Sequence, residues 1–255
     1  MGIKKYIPNT ITLLNLFCGT LAVIFGLKGW QLFSVYLILS AAIFDFLDGF
    51  SARLLKAYSP IGKELDSLAD LVSFGLAPSI LIYYRYTSFL GSYSNEKLSP
   101  LLIGAIAFIP LLITLASALR LAIFNVDTRQ TTSFIGVPTP ANAILIAMFT
   151  HYTVFNSSLD FIYNNLLFYP IVSIVLSYLL VSNIPMFSLK FKSLKYSDNK
   201  LRYHFGIFAL ALLLPVIIYQ EKWSLWLFMV FVSYILFNIA LLVKNFIIGI
   251  PSKNQ

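Results

Sequence analysis

Long apolar runs dominate the chain, broken by short polar stretches. They fall near 9–27, 31–53, 64–86, 101–124, 140–157, 166–184, 205–220 and 224–247. About 20 apolar residues in a helix cross a bilayer core, so the pattern predicts an all-α, polytopic membrane helix bundle with about eight transmembrane helices. An even number of spans puts both termini on one side. The first run follows a short basic start but offers no small-x-small cleavage site, so it reads as a retained span rather than a removed leader. The longest polar linker, "PMFSLKFKSLKYSDNKLRYH" (185–204), separates six spans from a final pair. The expected organisation is a six-helix core over 1–190, then a basic linker and C-terminal helix pair over 191–255, with the chemistry in the core.

Composition supports the same class. The 255 residues are 59% hydrophobic and 11% charged, whereas soluble domains run near 45–50% apolar and about 25% charged. Of the 18 Lys and Arg, fourteen (Lys4, Lys5, Arg53, Lys56, Lys63, Arg120, Arg129, Lys190, Lys192, Lys195, Lys200, Arg202, Lys244, Lys253) fall on one side of the predicted bundle. The other four are Lys28, Arg85, Lys97 and Lys222. The richer side is expected to be cytoplasmic, and the termini with it. The net charge of +8 is then topology plus attraction to anionic lipid, with no call for nucleic acid. The single cysteine, Cys18, excludes an internal disulfide framework.

One stretch breaks the apolar pattern. "DFLDGFSARLLKAYSPIGKELDSLAD" (45–70) holds five of the ten Asp and Glu. Its middle, "SARLLKAYSPIGK", is expected to be a cytoplasmic turn, so Asp45 and Asp48 end the second span while Asp66 and Asp70 begin the third. Residues three or four apart share a helix face. Asp45, Asp48 and Ala52 therefore form one stripe, and Gly62, Asp66 and Asp70 another, on antiparallel neighbours. Gly49 and Gly62 leave room for close approach. Four facing carboxylates repel, so protons or cations must neutralise them. An all-oxygen set suits hard cations such as Mg²⁺ or Mn²⁺, and four carboxylates are enough for a two-metal site of the kind used in phosphoryl transfer. Zinc is disfavoured, because the only histidines, His151 and His204, lie far away in sequence. A carboxylate pathway for cations or protons is the alternative from another class.

The string D-x-x-D-G-x-x-A-R, eight residues, then G-x-x-x-D-x-x-x-D, resembles the signature of the CDP-alcohol phosphatidyltransferase family at every position: Asp45, Asp48, Gly49, Ala52, Arg53, Gly62, Asp66 and Asp70. The resemblance implies a six-helix membrane core, usually homodimeric, with its site at the cytoplasmic boundary. It implies two divalent cations held by Asp45, Asp48, Asp66 and Asp70, with Asp70 as general base on an acceptor hydroxyl and CMP as leaving group. Gly49, Ala52, Arg53 and Gly62 would then line the nucleotide end of a CDP-lipid such as CDP-diacylglycerol. "IPNTITLLNLFCG", "SFGLAPS", "SALRLAIFNV", "FIGVPTPA" and "NIPMFSLK" together resemble the branch that uses L-serine as acceptor. Glycerol 3-phosphate and inositol phosphate are the competing acceptors. The glycerophosphate branch usually carries arginine where Asn15 stands.

Other polar residues stand out against the apolar background. Asn9, Thr12 and Asn15 recur every three residues on the first span, facing the bundle either as contacts to the CDP-lipid or as interhelical hydrogen bonds. Arg120, near the end of the fourth span, fits a carboxylate or phosphate anchor and equally a snorkelling cation. Asn125 sits at the same helix end. Gly136, Pro138 and Pro140 make a stiff loop that would cap an acceptor pocket or act as plain turn residues.

Overall fold

The computed structural model describes residues 6–92, 99–127, 134–187, 196 and 199–247. The basic residues Lys4, Lys5, Lys97, Arg129, Lys190, Lys192, Lys195 and Lys253, and the expected domain boundary after 190, lie outside them. Among the described residues the chain is all-α apart from one pair of two-residue strands.

Among the described residues six helices are long and apolar enough to cross a membrane: α1 (Tyr6–Leu27), α2 (Gln31–Leu54), α3 (Pro60–Ser92), α4 (Leu101–Val126), α8 (Lys200–Ile218) and α9 (Trp223–Ile247). Two shorter helices, α5 (Thr139–Phe155) and α7 (Phe168–Val181), occupy the remaining predicted spans, with a single turn α6 (Asp160–Tyr163) between them. At 1.5 Å per residue α5 and α7 reach only about 26 and 21 Å, short of a hydrocarbon core of about 30 Å. Paired extended backbone flanks the two helices at one end. β1 (Phe134–Ile135) pairs antiparallel with β2 (Pro185–Met186), Phe134 opposite Met186 and Ile135 opposite Pro185. The Gly136 N–H donates to Ile184 O (2.9 Å) and the Val137 N–H to Leu179 O (3.0 Å). Non-helical backbone is tolerated at membrane depth only when protein satisfies it in this way. Gly136 adopts φ +74°, and a Cβ there would meet Leu180 O at 2.5 Å, so the turn requires glycine.

Two apolar clusters hold the bundle. Ala22, Val35, Ile38, Phe74, Leu81 and Met148 knit α1, α2, α3 and α5. Tyr86, Ile113, Leu180, Met186, Phe205 and Tyr234 join α3, α4 and α7 to the C-terminal pair. Helix α9 packs on α5, where the His151 ring pairs with Ser224 Oγ (2.9 Å) and Tyr36 Oη (3.2 Å). Asn238 Oδ1 accepts from the Phe187 N–H (2.9 Å), and Tyr234 Oη donates to Phe187 O (2.8 Å). Large side chains such as Phe17, Phe33, Leu115, Leu210 and Leu236 stay exposed, as a surface facing lipid requires.

A close approach of α1 to α3 sets the site. Along α1 the buried residues are Pro8, Thr12, Asn15, Cys18, Gly19, Ala22 and Gly26, a stripe at three- and four-residue spacing. A Cβ on Gly19 would collide with Ser73 Oγ and lie 2.7 Å from Ser73 Cα. That absence lets α1 ride on α3 where α3 widens into a π-helical stretch, Leu71–Leu76. Such insertions are frequent beside functional residues, and this one begins at the residue after Asp70.

Candidate active site

The turn between α2 and α3 brings the carboxylates together. Its geometry is local: Ser59 caps α3 by accepting from the Gly62 N–H (3.0 Å), Pro60 occupies the first helical turn, and Ala57 N–H closes back onto Ala52 O (2.9 Å). One carboxylate oxygen from each of Asp45, Asp48 and Asp66 lies within 4.8 Å of the others. Asp48 is 6% exposed and Asp70 8%.

Helix α1 supplies the donors. Thr12 Oγ1 donates to Asp48 Oδ2 at 2.6 Å, and Asn15 Nδ2 to Asp70 Oδ1 at 3.3 Å. Asn15 is itself held by Ser73 Oγ, which donates to its backbone carbonyl (3.0 Å). Asp66 Oδ1 and Asn15 Oδ1 are buried without a hydrogen-bond partner. An orphaned carboxylate oxygen beside two more carboxylates is costly unless a cation or a proton neutralises it. The donor set, all oxygen and without Cys or His, fits a hard divalent cation.

Beside the carboxylates opens a cleft of about 220 Å³. Asn9, Thr12, Gly49, Ala52, Gly62 and Lys63 are among its walls. A Cβ on Gly49 would meet nothing within 4 Å, so the glycine leaves free space over the cluster. On Gly62 a Cβ would sit 3.0 Å from Asn9 Oδ1, and its absence lets α1 close the cleft. Arg53 lies in the last turn of α2, exposed and not among the residues that line the cleft.

The four remaining candidates separate. Arg120, 7% exposed, donates to Thr139 Oγ1 (3.3 Å), stacks over Phe124 (5.6 Å), and has Asp70 and Tyr234 within electrostatic reach. Pro138 starts α5 and so places Thr139 on that guanidinium. Asn125 braces α3 beside the cleft, with Nδ2 donating to Ser67 Oγ (2.8 Å) and its carbonyl accepting from Lys63 Nζ (2.9 Å). Gly136 is held in the strand turn.

Two residues beyond the sequence candidates stand out. Ser117, one turn before Arg120, and Asn142, one turn after Thr139, are buried with Ser117 Oγ and both amide atoms of Asn142 unpartnered; Arg120 Nε is unpartnered as well. Their signal in the sequence is spacing: each lies three residues from a polar partner on the same helix, facing inward in an otherwise apolar run.

An integral membrane protein with a buried carboxylate cluster at one end of its helices, open to a polar cleft, is the class that fold and site define. The CDP-alcohol phosphatidyltransferase family model matches residues 5–182, α1 through α7. The CDP-diacylglycerol–serine O-phosphatidyltransferase of Bacillus subtilis (strain 168) is 37% identical over 181 residues, covering 71% of this chain and 89% of that protein. The enzyme of the same name from Methanocaldococcus jannaschii is 34% identical over 211 residues, 83% of each chain. Archaetidylserine synthase of Methanothermobacter thermautotrophicus is 33% identical over 180 residues, 70% of this chain and 68% of that protein. The chain belongs to the CDP-alcohol phosphatidyltransferase family.

Proposed function

We propose that the protein transfers the phosphatidyl group of CDP-diacylglycerol to the hydroxyl of L-serine, giving phosphatidylserine and CMP. The observation that carries the reading is the convergence of Asp45, Asp48 and Asp66 within 4.8 Å beside Asp70, at a helix end where a charged diphosphate and its lipid tails can both be accommodated. The names of the similar proteins support serine as acceptor.

The residues divide the work. Asp45, Asp48, Asp66 and Asp70 would hold two divalent cations, Mg²⁺ or Mn²⁺. When bound, these supply Lewis-acid polarisation of the diphosphate oxygens and neutralise developing charge. Asp70, oriented by Asn15, accepts the serine hydroxyl proton. The serine oxygen bonds to the phosphorus that carries the diacylglycerol, and the bond from that phosphorus to the bridging oxygen breaks, so CMP leaves with that oxygen. Gly49, Ala52 and Gly62 shape the nucleotide end of the cleft together with Asn9 and Thr12, and Arg53 meets phosphate at its rim. Arg120, with Thr139, takes the serine carboxylate; Asn142 and Ser117 are free to receive the amine and bridging water. Pro138 and Gly136 set this wall, while Asn125 holds α3 in register. In this reading the site and both termini are cytoplasmic, the working unit is a homodimer, and 191–255 is an accessory segment to a 1–190 catalytic core.

The test is CMP release by purified full-length protein with CDP-diacylglycerol, Mg²⁺ or Mn²⁺ and a panel of acceptors: serine, glycerol 3-phosphate, inositol phosphate. Serine-dependent CMP release is expected. Release with another acceptor and none with serine would replace the acceptor. Ion flux in proteoliposomes without any nucleotide would replace the reaction class.

A further inference from the structure

The far end of the bundle holds a second site with lipid-like proportions. Arg85 lies fifteen residues beyond Asp70 on α3, roughly 22 Å along the helix. Two cavities share Arg85, Tyr163 and Tyr169 in their walls. One, of about 540 Å³, runs from them into the bundle between α3, α5, α7 and α9, past Ile82, Leu145, Phe149, Leu179 and Ile235. It opens sideways between α7 and α9, where Ile171, Val175 and Leu236 are 54%, 48% and 61% exposed. The other, of about 660 Å³, lies at the helix ends and is lined by Gln31, Tyr84, Ser88, Ser92 and Asn164.

Arg85 is the charged group at the junction. Nη1 donates to Thr153 Oγ1, and the guanidinium lies 5.2 Å from the Tyr163 ring centre. Thr153 takes one of five donors in a planar fork suited to two oxygens of one phosphate. The nearby Asp160 carboxylate accepts from the Tyr163 hydroxyl. An apolar slot with exposed side chains at its mouth, sharing an arginine wall with a polar chamber at the helix ends, matches the two halves of one amphiphile. A protein helix would need a flat groove rather than a slot entered from the side.

We propose that these two cavities hold one glycerophospholipid from the leaflet opposite the aspartates, its phosphate on Arg85, its headgroup against Gln31 and Ser88, and an acyl chain in the slot. This site shares no residue with the carboxylate cleft and does not rest on the proposed reaction.

The test uses the full-length chain in detergent, stripped of native lipid, in native mass spectrometry with dioleoylphosphatidylglycerol or with dioleoylglycerol, which has no phosphate. The phosphatidylglycerol is expected to bind at least tenfold more tightly. Arg85→Gln should erase that preference. Val175→Trp, at the exposed mouth and so harmless to folding, should weaken the phospholipid at least fivefold. Asp48→Asn, in the carboxylate cleft, should leave the preference intact. Equal binding of the two lipids, or a preference lost with Asp48→Asn but kept with Arg85→Gln, overturns the proposal. So does cross-linking through a cysteine placed at Val175 that joins two chains across the slot in the presence of lipid, because a second copy then covers it.

Discussion

The Thr12 hydroxyl offers a single-atom test of the carboxylate site. It has one proton and two acceptors: Asp48 Oδ2 at 2.6 Å and Pro8 O at 3.1 Å. The shorter contact is to the carboxylate, where charge strengthens the bond, so the proton belongs to Asp48. Thr12→Val keeps the shape of a side chain only 3% exposed and deletes that donor. A hydrogen bond to a charged group contributes about 1.5–3 kcal/mol, roughly a factor of 10 to 150 at 1.4 kcal/mol per decade. Groups that orient a metal-binding carboxylate typically change metal affinity about 10- to 100-fold when removed. The two ranges agree, so Mn²⁺ affinity should fall about 10- to 100-fold. The readout is titration of the free Mn²⁺ resonance with purified protein and no substrate, alongside the Mn²⁺ dependence of CMP release. Thr12→Ser restores the donor and should recover most of the loss. Mn²⁺ binding by the valine variant within twofold of the parent, with the protein folded, would refute the coupling of α1 to the cluster and weaken the assignment of Asp48 as a ligand.

Other consequences follow from the same geometry. Asp70→Asn should lower turnover by about 10²–10⁴, the usual range for a general base, while CDP-diacylglycerol binding, measured by equilibrium binding of labelled lipid, stays within a few-fold. Arg120→Gln should raise the serine KM by about 10- to 100-fold through loss of charge-assisted bonds, with the CDP-diacylglycerol KM little changed; a uniform rise in both would place Arg120 outside the acceptor pocket. Gly19→Ala inserts a methyl against the Ser73 backbone and should destabilise by about 1–3 kcal/mol, visible as a lower thermal midpoint in detergent and as reduced activity, because Asn15 and Asp70 are displaced with it. Asn238→Leu leaves the Phe187 N–H without its acceptor and should cost about 1–3 kcal/mol, read in the same melt with the kinetic constants preserved.

The sequence by itself determined the eight helical runs, the acidic break in them and the family signature, because all three are local. A span is a length of apolar chain, and spacing of three or four fixes which residues share a helix face. Hence the predicted runs 9–27 and 31–53 correspond to Tyr6–Leu27 and Gln31–Leu54, and Asp45, Asp48 and Asp66 meet. Tertiary structure decided what depends on a neighbour. That α5 and α7 can stop short follows from the β1–β2 pair closing their ends. Packing leaves Arg53 exposed and outside the cleft lining, and ties Asn125 to Ser67 and Lys63 of α3. Ser117 and Asn142 become conspicuous only when α4 and α5 pack and leave their polar atoms unpaired. Periodicity along one helix says which residues face inward, whereas a site is made of the distances between helices, and those are set by packing such as Gly19 against Ser73.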